Sequence, residues 1–460
     1  LSCLGMKPTY AELEQAVAEQ SQIVQQLLDR IKQLEDQLNK HSKNSSKPPS
    51  TDQKGNTGSK DLSRRGAKPG HPAHQRQLLD IDKAHRVIDC TDKHCPKCSE
   101  KNIEHHNIFS QHDVLEIEDG AVRSLIFLRQ KIYCPHCRRY YLSALPNGYS
   151  NTLIGAKLHG FIASCLVNYH LSTRQLQDLI WQLWGQKLSQ GAINTAKKRI
   201  HGALEIPHTA IHEEILENEE VKYIDETSWR ESGKTAYVWL MTTKTLAYFN
   251  INSRRNLEAR LHMLPNVVNA AVCCDGYGVY HSIKTVVQRC LCHIFRNINK
   301  FESSRDPFTR KLADDMTTCL DRVLKRHKRY RHGEYSFKAM RQYCRRYQRE
   351  LEVFLEMGIY GSDTSFSRFC EGLWKDFWDW WSFLDNPSLE PTNNEAERTL
   401  RGIVILRKKI MFTQSIWGSE FVSRTASVVQ TLKKRSMGVL DFLRDTMHAF
   451  WASAAFPTFS

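Results

Sequence analysis

From Tyr10 onward, apolar residues recur at alternating steps of three and four. Tyr10, Val17, Val24, Ile31 and Leu38 hold one heptad position, and Leu13, Gln20, Leu27 and Leu34 hold the other. Glu, Gln, Lys and Asp fill most places between. This seam predicts a coiled coil over 8–40, with Gln20 as a polar residue able to set register. A single amphipathic helix packed on its own chain would show the same stripe. In either case the stripe calls for a partner, and a second copy of the chain is the simplest. Residues 41–75 have almost nothing apolar and are rich in Ser, Pro, Gly, Lys and Arg, which predicts a flexible basic linker.

Over 76–148 the period falls to two. Runs at 114–117 and 122–132 flank Glu118-Asp119-Gly120 and predict a hairpin. Residues 149–212 read as helical. Ser172 caps one helix that ends at Trp184-Gly185, and a second starts near Ser189 and carries Lys197, Lys198 and Arg199. This suits a DNA-binding helix-turn-helix, and two ordinary packed helices fit nearly as well. From 219 the strand period returns at 220–225, 236–243, 245–252 and 269–275, with a helix at 256–264. Residues 303–390 are helical again, with eleven Lys and Arg over 322–349 and eight aromatics over 366–383. The aromatics read as the core of a helical layer rather than a base-stacking platform. The expected class is a multidomain α+β protein.

Charge narrows the partner. There are 65 Lys and Arg against 50 Asp and Glu, a formal net charge of +15, which favours a polyanion. The longest apolar run, 154–169, is broken by Lys157 and His159, so no membrane span is expected. The first residue is Leu, which makes Met6 a candidate start, and no basic-then-apolar leader is seen. With 14 Cys, the expectation is a reducing cytoplasm rather than a disulfide scaffold. Cys95-Pro-Lys-Cys98 and Cys134-Pro-His-Cys137 are matched knuckles, and together they supply four thiolates for a tetrahedral Zn²⁺ site.

Two carboxylates stand where buried runs end. They are Asp225 in Tyr-Ile-Asp-Glu-Thr and Asp275 in Cys-Cys-Asp-Gly-Tyr. A buried acid is costly without a cation or hydrogen-bond donors. On adjacent strands the pair would hold Mg²⁺ or Mn²⁺. Glu395 and Glu397 are candidates for a third ligand, and on a helix only one of them can face the metal. Arg398 and Arg401 share a helix face suited to phosphates.

These residues fall in an order that resembles the IS66 family of bacterial insertion-sequence transposases over nearly the whole chain. The zipper is followed by Asn44-Ser-Ser-Lys-Pro-Pro-Ser-Thr-Asp52, Arg64-Arg-Gly-Ala-Lys-Pro-Gly-His71 and the knuckles. Then come Asp225-Glu-Thr, Lys234-Thr-Ala-Tyr-Val-Trp239, Cys274-Asp275-Gly-Tyr and Cys290-Leu-Cys-His293. Thr392-Asn-Asn-Glu-Ala-Glu-Arg398 and Arg407-Lys408-Lys409 complete the series. The resemblance implies an RNase H-like catalytic core in two parts, 213–302 and 391–450, split by a helical insertion at 303–390. It also implies a DDE triad of Asp225, Asp275 and Glu397 on two Mg²⁺ ions, cutting element ends and joining the freed 3′-OH to target DNA. Arg398, Arg401, Arg407, Lys408 and Lys409 are the expected DNA contacts beside Lys197, Lys198 and Arg199. Small accessory proteins of the same element are expected partners, and the nucleoid is the expected location. The alternative is a non-catalytic zinc- and zipper-bearing DNA-binding protein.

Overall fold

The computed structural model describes residues 10–39 and 78–459. The linker expected at 41–75 lies outside them. The chain forms two units, Leu1–His71 and Pro72–Ser460. The first contains α1 (Tyr10–Asn39). Val17, Val24, Leu27 and Ile31 on its heptad seam are each at least 50% exposed, as are Ile23 and Leu28 beside it.

The second unit opens with a four-stranded sheet of β1 (Arg86–Cys90), β2 (Glu104–Glu118), β3 (Ala121–Cys134) and β4 (Arg139–Leu142). β3 pairs antiparallel with β2 and β4 and parallel with β1. The β2–β3 turn places Asp119 and Gly120 at φ of 50° and 76°, the left-handed pair that a two-residue hairpin requires. Only Cys90, Val114, Leu125 and Phe127 form this sheet's own buried cluster.

Four helices follow: α2 (Ala156–Val167), α3 (Thr173–Trp184), α4 (Gln190–Ala203) and α5 (Glu205–Glu217). α2 is buried nearly all round, which explains its apolar run. It has no cap of its own. The Glu116 carboxylate, reaching from β2, accepts from the backbone N–H groups of Lys157 (3.2 Å) and Leu158 (3.0 Å). α3 starts with a capping box, Ser172 and Gln175, and stops at Gly185 in the left-handed region.

The central sheet is built from β5 (Lys222–Glu231), β6 (Lys234–Thr242), β7 (Ala247–Asn252), β8 (Val272–Cys274) and β9 (Val287–Arg289), with α6 (Leu257–Met263) between β7 and β8. Its order is β7-β6-β5-β8-β9. The β5–β6–β7 pairs are antiparallel, whereas β8 and β9 run parallel to β5. One expectation needs correcting: Asp225 does not end a strand. β5 continues six residues past it to Glu231, because it pairs with β6 out to Glu231↔Lys234. β8 is also shorter than the 269–275 read from the sequence.

After α7 (Leu291–Asn299) come α8 (Pro307–Arg331), α9 (Phe337–Ile359) and α10 (Thr364–Lys375). They enclose their own core, in which Phe366, Phe377, Trp380, Trp381 and Phe383 are buried. The aromatic run is therefore mostly interior, although Trp378 is exposed. The chain returns through α11 (Asn394–Ile410), which packs on β5 and β6. It then forms α12 (Ile416–Lys434), which covers β7, and α13 (Val439–Ala452), which packs on α2. Among the described residues, no helix is long and apolar enough to cross a membrane.

Candidate active site

The register of the parallel pair Lys222↔Val272 and Tyr223↔Cys273, continued by two places, sets Asp225 beside Asp275. Asp225 and Thr227 alternate with Glu226 along β5, so they share the face that α11 crosses. Five hydrogen bonds, from Asn393 and Arg407, fix α11 there. The Asn393 side-chain amide donates to Ile224 O (2.8 Å). The Asn393 backbone N–H donates to Cys290 Sγ (3.2 Å). At the other end, Arg407 donates to Thr227 Oγ1 (2.7 Å), Ser228 O (2.6 Å) and Ser228 Oγ (2.9 Å). Glu397 stands in the first turn of this helix, near enough for its charge to act on Asp225.

Burial and neighbouring charge act on these acids together. The Asp225 carboxyl is pushed up to about 7, first by burial and then by the charge of Glu226, with Asp275 and Glu397 adding to it. One backbone donor, Glu226 N–H at 2.8 Å, works the other way. Asp275 accepts from Tyr277 N–H (2.9 Å) through Oδ1. Glu397 Oε1 lies 3.1 Å from Arg296 Nη2 and 3.8 Å from His293 Nδ1. Glu395 turns away from this cluster, to Lys434 (2.5 Å) and Arg398 (2.9 Å).

Two further charged side chains beside these acids are not evident from the sequence alone. Glu226 is a fourth acid. It is held by Arg255 Nε (2.7 Å) and by the Tyr280 hydroxyl, and Arg255 lies 4.0 Å over the Tyr277 ring. Burial raises its carboxyl, and the charge of Asp275 adds to that. Arg289, almost wholly buried, donates to Asp275 O (3.0 Å) and pairs with Asp376 and Asp379. It thus ties the acid-bearing loop to the helical insertion. An arginine set between the apolar pairs Val286-Val287 and Cys290-Leu291 was the signal for it, because such a charge needs partners.

Among the described residues, two sets of side chains have metal-donor atoms all within 4.8 Å of one another: Cys95, Cys98, Cys134 and Cys137, and Cys290, His293 and Glu397. Asp225 and Asp275 do not join Glu397 in a set that tight. In the first set the Cys95–Cys137 and Cys98–Cys134 sulfur pairs lie 4.0 and 3.6 Å apart. Zn–S bonds of about 2.3 Å put tetrahedral sulfurs roughly 3.8 Å apart, so the thiols can hold zinc. Ser99 and Arg138, each directly after a knuckle, take positive φ values of 59° and 53°, which close the two tight turns.

The expected DNA contacts divide. Arg398, Arg401, Lys408, Lys409 and Lys198 are exposed. Arg407 is spent on β5, Arg199 bonds Thr152, and Lys197 lies over Trp417 and Phe421 with its ammonium pKa lowered by burial. Arg398 lines a cavity of about 510 Å³ with Lys244, Lys328 and Arg331. Lys197 and Lys409 line another, of about 480 Å³.

No curated protein matches the chain. Residues 6–77 match a family of unknown function, DUF6444. Residues 151–421, more than half of the chain and spanning all three acids, match the Transposase IS66 family, and the chain therefore belongs to the IS66 family of transposases.

Proposed function

We infer that this transposase works through an RNase H-like core bearing the triad Asp225, Asp275 and Glu397. A sheet of three antiparallel strands extended by two parallel ones, with the acids on β5, after β8 and on α11, supports that reading. The observation that carries it is the packing of β5, β8 and α11 around the half-buried Asp225, with Asn393 and Arg407 holding α11 on β5. A cluster of oxygen donors whose charges oppose one another fits hard divalent cations, Mg²⁺ or Mn²⁺. Such ions would supply an activated water or 3′-OH and stabilise the leaving oxygen of an in-line displacement at phosphorus.

The protein's own groups do the rest. Asp225 and Asp275, fixed by adjacent parallel strands, form a rigid floor. Glu397 closes the site from α11. Arg398, Arg401, Lys408 and Lys409, with Lys198 on α4, offer charge to the phosphates of element ends and target DNA, while Arg407, Lys197 and Arg199 support that surface from beneath. The four cysteines would hold Zn²⁺ and brace the β1–β4 sheet.

The test is cleavage of labelled end DNA with Mg²⁺. Asp225→Asn, Asp275→Asn and Glu397→Gln should each lose about 10²–10³-fold in cleavage while still binding DNA, the scale of losing one electrostatic stabilising group. Glu395→Gln should retain activity. Full activity in Glu397→Gln would reverse the assignment, and DNA binding without cleavage by the wild-type chain would leave only the non-catalytic reading.

A further inference from the structure

The second metal-donor set contains no element of the four-cysteine knuckles and only one member of the triad. Cys290 is the N-cap of α7, and His293 lies three residues on, so the two share a face. Glu397 arrives from α11, and the two helix starts are clipped together. Leu291 N–H donates to Pro391 O (2.9 Å), and Asn393 N–H donates to Cys290 Sγ (3.2 Å). His293 Nδ1 is buried, has the Cys290 thiol beside it, and faces Glu397 Oε1 from 3.8 Å, too far for a hydrogen bond. Cys290 is fully buried, whereas Glu397 and His293 are partly open to solvent, which leaves an entry path.

One thiol, one imidazole and one carboxylate make a mixed soft and borderline donor set that suits Zn²⁺ and disfavours Mg²⁺. Bonds of about 2.0–2.3 Å bring tetrahedral donors to roughly 3.5 Å from one another. Coordination draws the three donors, now within 4.8 Å of one another, closer together. Arg296, on the exposed flank, donates to the same Glu397 oxygen and must swing away. Binding would release the Cys290 thiol proton to solvent.

We propose that Cys290, His293 and Glu397 form a second, three-ligand zinc site that withdraws Glu397 from the acid cluster and thereby switches strand cleavage off. The site stands on its own geometry, and the switch rests on the triad reading given above. An ion that recruits the third acid leaves Asp225 and Asp275 without the ligand that closes their site.

The experiment counts zinc on the full chain by equilibrium dialysis at buffered free Zn²⁺, then measures Mg²⁺-dependent cleavage of end DNA across the same zinc range. Wild type should bind two zinc ions per chain. Cys290→Ser, His293→Ala and Glu397→Gln should each bind one, the ion on the four cysteines, whose retention with an unchanged circular dichroism spectrum shows that the variant has folded. Should Cys290→Ser fail to fold, His293→Ala and Glu397→Gln decide alone. Zinc should inhibit wild-type cleavage, and His293→Ala should need at least about tenfold more zinc for the same fractional loss. One zinc in wild type, or two in His293→Ala, overturns the site. Equal zinc sensitivity in wild type and His293→Ala overturns the switch. Two zinc ions in a wild-type chain that never cleaves with Mg²⁺ overturns the triad reading and the switch with it, and leaves the site.

Discussion

At the scale of single residues, the segment Thr392-Asn-Asn-Glu-Ala-Glu-Arg398 owes its arrangement to Asn393 as much as to Glu397. Asn393 is fully buried and bridges Ile224, one place before the first acid, and Cys290, at the start of α7. Replacing it with Asp keeps its size but removes the side-chain donor, and replacing it with Ala removes both. Each leaves Ile224 O unpaired, at a cost of about 1–3 kcal/mol. Each also frees the start of α11, and a shift of about 1 Å there would cost on the order of 10²-fold in cleavage. Urea denaturation and the end-cleavage assay check the two expectations separately, and wild-type cleavage by either variant would show that Asn393 does not place Glu397. The choice between Glu395 and Glu397 was partly legible, because residues two apart on a helix cannot face one site. The partners that settle their directions, Lys434 for one and Arg296 for the other, come from α12 and α7, out of reach of any local pattern.

At the scale of elements, the paired cysteine knuckles and the Asp119-Gly120 hairpin were readable because both are local, being tight turns that only certain residues allow. Strand ends were not. The polar stretch Glu226-Thr-Ser looks like a loop in sequence, yet it lies within β5, since Arg255, Tyr280 and Arg407 satisfy those side chains from elsewhere. The buried Glu116 is another case: only the fold shows that it caps α2 from a neighbouring sheet. That contact links the thinly cored β1–β4 sheet to the helical layer, and it leads to a prediction. Cys134→Ser, or zinc removal by a chelator, should speed amide exchange through β3 and β4 and reach the first turn of α2, while β5 and β6 stay protected. Hydrogen exchange by mass spectrometry reads this out. Equal loss of protection in β5 and β6 would mean that the two sheets unfold as one.

At the scale of the whole molecule, buried histidines set an acid limit. Burial pushes His159 and His208 down to about 4 from an ordinary value of 6.5. The unfolded chain therefore takes up protons that the folded chain refuses. Stability is complete above pH 6.5 and is lost as the pH falls toward 4, by about 3 kcal/mol for each group at the lower end. His159→Gln should flatten this decline, measured as the urea midpoint between pH 6.5 and 4.5; an unchanged slope would mean that His159 is protonated in the folded state. Assembly is the other property of the whole chain. Half a dozen apolar residues of α1, each at least half exposed, carry a hydrophobic cost that a parallel copy of the same helix would remove, since Val24, Leu27 and Ile31 sit at seam positions. A chain without residues 1–71 should sediment as a smaller species than the full chain, and Val24→Glu with Leu27→Glu should reproduce that loss in the intact protein. On the proposed function two element ends are brought together, so the same pair of changes should leave cleavage at a single end largely intact while lowering joint cleavage of paired ends. If the altered protein still self-associates, the contact between copies must come from the second unit instead of α1.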